Sequence, residues 1–177
     1  MRFTRTGLEQ VWLIELDVVE DDRGFFARTF CEREFTDRGL NTRWVQCNLT
    51  RTLRRGTIRG LHYQSEPKPE TKLVRCSMGA ILDVVVDIRA NSLTYGRWIA
   101  FELTAENHLS LYVPPGHAHG FQCLQEPSEV SYQMSEFYHP ELARGIRWDD
   151  PTIRIAWPIS DPHLSDRDRN LPLLRLP

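Results

Sequence analysis

"ILDVVVDIR", residues 81–89, carries a period of two, the spacing at which successive side chains leave a strand on opposite faces. The same period runs through "WIAFELT" (98–104), "LSLYVPP" (109–115) and "SEVSYQMSEFY" (128–138), and each is read as a strand. Turn signals separate them: "RANSLTYG" (89–96), "TAEN" (104–107), "PPGHAHG" (114–120) and "QEPS" (125–128). Their short, regular spacing belongs to an antiparallel sandwich or barrel. Helix is scarce, with "CEREFTDRGL" (31–40) the best early candidate and a second short one near "LSDRDRN" (164–170). The fold class that follows is all-β: a two-sheet jelly roll with short peripheral helices, whose barrel mouth offers a pocket lined by inward-facing side chains.

Composition narrows the possibilities further. A chain of 177 residues with 41% hydrophobic content can bury one sizeable core and is short for two, so one domain over 1–177 is expected. The 22 basic and 24 acidic residues leave a net charge of −2, too even for a general polyanion surface, so nucleic acid is not expected as a partner. The start, "MRFTRTGLEQ", is polar where a signal peptide carries its apolar segment, and no apolar run approaches membrane-spanning length. A soluble cytoplasmic protein without a membrane partner is the expectation. Cys31, Cys47, Cys76 and Cys123 are scattered, with no C-x-x-C pair, and read as reduced thiols.

Residues two apart on a strand share a face, and this rule populates the pocket. His62 shares a face with Gln64, Tyr132 with Val130 and Met134, and Gln46 with Asn48 in "VQCNLT" (45–50). Polar groups that point inward need partners. They find them in one another and in loop backbone, or in a bound ligand, and the pattern alone leaves both readings open.

The series "DDRGFF" (21–26), "VQCNLT", "TIRGLHYQ" (57–64), "KLVRC" (72–76), "GAILDVVVDIR" (79–89), "YVPPGHAHGF" (112–121), "EVSYQMSEFY" (129–138) and "GIRWDDPTIRIAWP" (145–158) resembles, in order and over nearly the whole chain, the dTDP-4-dehydrorhamnose 3,5-epimerases. The resemblance implies a cupin-type jelly roll and a homodimer. It also implies action on a nucleotide-linked 4-keto-6-deoxyhexose with neither metal nor organic cofactor. Metal-binding cupins share the "PPGHAH" pattern, but their H-x-H motif is broken here by Gln64, and Lys72 stands near the place of their glutamate ligand. A fixed ammonium repels a divalent ion. His117 and His119, spaced H-x-H, remain the best argument for a metal, against a packed or substrate-facing His119 and a peripheral His117.

Inversion next to a ketone needs a base, a cation or donor to hold the enolate, and an acid on the opposite face. By resemblance His62 is the base, Asp168 its partner, Lys72 the enolate stabiliser and Tyr132 the acid. Taken by itself, Asp168 reads as an exposed charge in a run of charged residues. Arg23 and Arg59 match the family's phosphate and sugar contacts, with Gln46 and Asn48 beside them, His119 facing the substrate, and Phe26 and Tyr138 offering flat faces to base or sugar. Two departures stand out: Arg28 occupies a position where the family usually has a glutamate reaching the nucleotide, and "PKPETK" (67–72) differs from the usual loop before the lysine. The first leaves open a CDP- or GDP-linked substrate, and the second bears on access to the sugar. Inversion at C3 or C5 alone is also open. An isomerase moving the keto group between C3 and C4 and a non-catalytic sugar-nucleotide-binding cupin are the rival classes; Lys72 and "YQMSEFY" (132–138), an arrangement the former group lacks, argue against the first, and the joint presence of base, cation and acid against the second.

Overall fold

The structure is a computed structural model and describes residues 1–175. Two strands, β7 (Lys72–Asp87) and β10 (His117–Met134), are much longer than the rest and pair antiparallel along most of their length. Each serves two sheets. Residues 72–76 of β7 and 130–134 of β10 lie with β9 (Leu109–Val113), β2 (Trp12–Glu15) and β1 (Arg2–Arg5) on one side and β5 (Gln46–Thr52) on the other. Residues 80–87 of β7 and 117–125 of β10 lie with β8 (Trp98–Thr104) on one side and β6 (Ile58–Gln64) and β11 (Ala143–Gly145) on the other.

The change of sheet has a local cause. Gly79 has φ +71°, and a Cβ there would stand 2.5 Å from the Pro127 carbonyl oxygen, so only glycine lets the two long strands cross this closely. Opposite it, the register of β10 shifts repeatedly between Cys123 and Val130. Pro127 sits in this irregular part, where its missing N–H costs the ladder little. "QEPS" therefore does not end a strand, as its turn chemistry suggests; it bends β10 from one sheet into the other. The turn signal "PPGHAHG" is likewise shorter than read, because β10 begins at His117.

The sheets face each other across an apolar core. Val74, Cys76, Leu111 and Val130 of the first pack with Ile81, Val85, Leu103 and Phe121 of the second, and removing such side chains from water stabilises the fold by about 2 kcal/mol each. Helix α1 (Glu32–Thr36) buries Phe35 against Ile14, Leu73 and Tyr112 on the outer face of the first sheet. The chain after β11 covers the second, setting Ile146 and Ile153 against Leu61, Val84 and Val86. Strands β3 (Val18–Asp21) and β4 (Gly24–Ala27) form a separate ribbon that leaves Val19, Phe25 and Phe26 exposed. Among the described residues no helix is long and apolar enough to cross a membrane.

Candidate active site

Between the sheets lies a cavity of about 450 Å³. Its walls come from both sheets, and the strand registers explain which side chains meet there. His62 on β6 pairs directly with His119 on β10 in the second sheet. Across from them, Tyr132 on β10 lies opposite Asn48 on β5, and Lys72 on β7 lies opposite Met134. Helix α2 (Asp166–Arg169), capped by the Ser165 hydroxyl accepting from the Asp168 amide at 3.1 Å, closes the cavity with Arg167 and Asp168.

His62 and Asp168 are joined: Nε2 lies 2.6 Å from a carboxylate oxygen of Asp168, whose side chain is only 7% exposed. An ionised carboxylate can only accept, so Nε2 carries the proton and Nδ1 is left as the basic nitrogen of the neutral ring. Burial pushes the Asp168 carboxyl up. The hydrogen bond and charge of His62, aided by Ser165 and the Gly60 amide, outweigh it and hold the group below its ordinary 3.8.

Lys72 is buried, donates to the His62 carbonyl oxygen at 3.2 Å and pairs with Glu70 at 3.1 Å. His119 makes a second histidine–carboxylate pair, its Nε2 2.6 Å from Asp83, with both side chains almost fully covered. The rings of His119 and Tyr132 meet edge-on at 6.2 Å. Burial raises the pKa of the Tyr132 phenol well above 10, opposed by the Thr50 hydroxyl, reinforced by the charge of Asp83 and opposed again by Arg59. The phenol therefore keeps its proton at neutral pH.

The structure thus brings together His62, Asp168, Lys72, Tyr132, His119, Asn48 and Arg59 around one cavity. Arg59 is anchored by Nε to the Thr52 hydroxyl at 3.1 Å. Gln46 and Tyr138 stand beside this group: Gln46 donates to Asn48 at 3.1 Å and accepts from the Tyr138 amide at 3.2 Å, while the Tyr138 side chain is exposed. Arg23, Phe26 and Arg28 are not brought to the cavity of their own chain. Arg23 pairs with Asp21 at the ribbon turn, Phe26 is exposed, and Arg28 lies 3.6 Å from Glu34 of α1. Gln64 braces loops instead of facing the cavity, donating to the Lys68 and Phe137 carbonyls and accepting from the His139 amide.

His117 does not line the cavity and is buried, with Nδ1 against the Pro114 and Pro115 carbonyls. One reading changes. Asp168, exposed by the logic of its charged run, is turned inward by α2. Among the described residues no three His, Cys, Asp or Glu side chains converge as a metal-ligand set. Asp83, Thr50 and Arg167 went unread in the sequence. A carboxylate inside the apolar run of 81–86 was the signal for Asp83, and the shared parity of 46, 48 and 50 the signal for Thr50; Arg167 had none.

The sequence model of the family described as dTDP-4-dehydrorhamnose 3,5-epimerase matches residues 5–175. A protein of that name from Methanothermobacter thermautotrophicus is 46% identical, over 98% of this chain and 95% of its own length. The crystal structure of the Bacillus anthracis dTDP-4-dehydrorhamnose 3,5-epimerase, with TDP and PPi bound, is 40% identical and superposes with a TM-score of 0.95 over 98% of this chain and 99% of that one. The Legionella pneumophila dTDP-6-deoxy-D-glucose-3,5-epimerase, in complex with dTDP-4-keto-L-rhamnose, is 36% identical with a TM-score of 0.93 over 98% and 92%. Likeness of this extent, in sequence and in fold alike, has one meaning: the chain belongs to the dTDP-4-dehydrorhamnose 3,5-epimerase family.

Proposed function

We propose that this chain inverts C3 and C5 of dTDP-4-dehydro-6-deoxyglucose to give dTDP-4-dehydrorhamnose, and that the observation carrying this reading is the His62–Asp168 pair facing Tyr132 across one cavity with Lys72 between the sheets. The C4 ketone acidifies the C–H bonds at C3 and C5. Nδ1 of His62 removes the proton, and Asp168 stabilises the imidazolium that forms. The Lys72 ammonium holds the enolate oxygen, so the reaction needs no metal or organic cofactor. Tyr132, on the other sheet, returns a proton to the opposite face of the carbon, and solvent restores both groups.

Arg59, Arg167 and Asn48 supply cationic and amide donors for the diphosphate. The carrier is dTDP: Arg28 is engaged with Glu34 and leaves base recognition to Gln46 and the aromatic faces. The protein works as a homodimer. The exposed ribbon face of Val19 and Phe26, which are cross-strand neighbours, together with Leu49 and Leu53 on and beside β5, is the surface a second copy would cover, and Arg23 and Phe26 then serve the partner's cavity. Its four free thiols suit a reducing cytoplasm.

Incubation with dTDP-4-keto-6-deoxyglucose in deuterated water tests the reading. Label should enter at both C3 and C5, and His62→Ala should slow its entry by about 10²- to 10⁴-fold while dTDP still binds. Label at neither carbon, or wild-type exchange in His62→Ala, refutes it.

A further inference from the structure

Lysine ends in a compact ammonium on a flexible four-carbon stem, so a lysine that must meet one substrate atom needs something to fix it. Lys72 has two such partners. One N–H donates to the His62 carbonyl oxygen at 3.2 Å, and a second lies toward the Glu70 carboxylate at 3.1 Å. An ammonium has three donors, so one remains for the cavity that Lys72 lines. Glu70 itself stands in the connection between β6 and β7, outside the cavity wall, and the pair is almost covered, with side-chain exposures of 9% for Lys72 and 11% for Glu70. Arg59 and Arg167 bring two more cations to the same cavity. A covered ammonium facing them is unfavourable without a counter-charge.

We propose that Glu70 is a positioning residue for the epimerisation: its carboxylate fixes the Lys72 ammonium at the cavity wall and turns the third N–H toward the C4 oxygen of the substrate. The proposal rests on the reading of Lys72 as the enolate stabiliser. Removing the carboxylate frees the stem to carry the charge toward solvent, away from the place where negative charge develops.

The test follows deuterium uptake into dTDP-4-keto-6-deoxyglucose, and separately dTDP affinity, in Glu70→Gln, Glu70→Asp, Lys72→Ala and the double variant Glu70→Gln/Lys72→Ala. Glu70→Gln keeps shape and an acceptor oxygen but loses the charge, and should lower kcat about 10- to 100-fold with KM and dTDP affinity little changed, as expected for a misplaced group. Glu70→Asp, with the charge on a shorter arm, should fall between it and wild type. In the Lys72→Ala background the Gln substitution should have no further effect, because its route to the chemistry is gone. Undiminished kcat in Glu70→Gln, or the same loss in both backgrounds, overturns the role of Glu70 and leaves that of Lys72 standing. Wild-type exchange in Lys72→Ala overturns both. Should Glu70→Gln not fold, Glu70→Asp in the two backgrounds carries the same comparison.

Discussion

Asp168 sits in the run Asp166–Arg167–Asp168–Arg169, where the other three side chains are exposed and it alone is buried. The four-residue helix makes the difference, because the Ser165 cap fixes the turn and aims the third of these side chains at β6. Once there, the carboxylate faces two opposed effects, burial pushing its pKa up and His62 pulling it down, and the second wins. An ionised acceptor at 2.6 Å then dictates the tautomer of His62. Asp168→Asn keeps the shape and removes the charge, so the ring is no longer held with Nδ1 as its base and the imidazolium loses its counter-ion. Exchange into the 4-keto sugar should fall by about 10²- to 10⁴-fold, with dTDP affinity unchanged. A variant that exchanges at wild-type speed in deuterated water would remove Asp168 from the mechanism.

Strand β6 raises a question of parity, because Arg59 and His62 are three residues apart and in a regular strand would face opposite sides, yet both line the cavity. The reconciliation is the break at Gly60, where φ is +141° and β10 shifts register between His119 and Phe121. A Cβ on Gly60 would lie 2.5 Å from the Gly120 Cα, too close for any relaxation short of moving a strand. Gly60→Ala should therefore cost at least about 2 kcal/mol, from overpacking and the strained backbone together, read as a lower urea midpoint. It should also lose exchange activity at temperatures where it remains folded, because Arg59 and His62 are no longer presented together; full activity in the folded variant would show that the break does not align them. This element also marks the limit of what periodicity reveals. Alternation in 98–104 marks β8 to the residue, whereas the strand read over 109–115 ends at Val113, before two prolines that cannot donate to the ladder. Pairings such as His62 with Gln64 follow the same rule and mislead, since Gln64 turns to the loops. Arg59 could join His62 only through resemblance to a family, because a break in the pleat is written in backbone angles and neighbouring strands.

At the scale of the whole molecule, two long strands shared between two sheets tie the core and the cavity into one network, and neither is visible in a local reading that stops each strand at its turn signals. The same network buries titratable groups, and this fixes how stability responds to acid. Asp87, covered and bonded by Arg89, Ser92 and Thr94, is held well below 3.8 despite a burial effect in the other direction. Asp168 is held below 3.8 as well. Depressed carboxyls contribute stability above about pH 4 that is lost as pH falls through their folded values. His117 acts earlier. Its Nδ1 faces the Pro114 and Pro115 carbonyls at 3.3 and 3.2 Å, which only accept, so Nδ1 carries the proton. Nε2 is buried with no partner among the described residues, and a second proton there would be a charge with nothing to receive it. Burial lowers its pKa below 6.5, against the pull of Asp87 and with the push of Arg89. Below 6.5 the unfolded chain binds a proton that the folded chain does not, so stability rises with pH there and falls on acidification until the folded value is reached. His117→Phe keeps a ring of similar size and cannot titrate. Its urea midpoint at pH 7.5 should lie below that of wild type because the hydrogen bonds are lost, and the gap between the two proteins should narrow at pH 6 and again at pH 5. A gap that stays constant across that range would show that His117 gains its proton in the folded and unfolded chains alike.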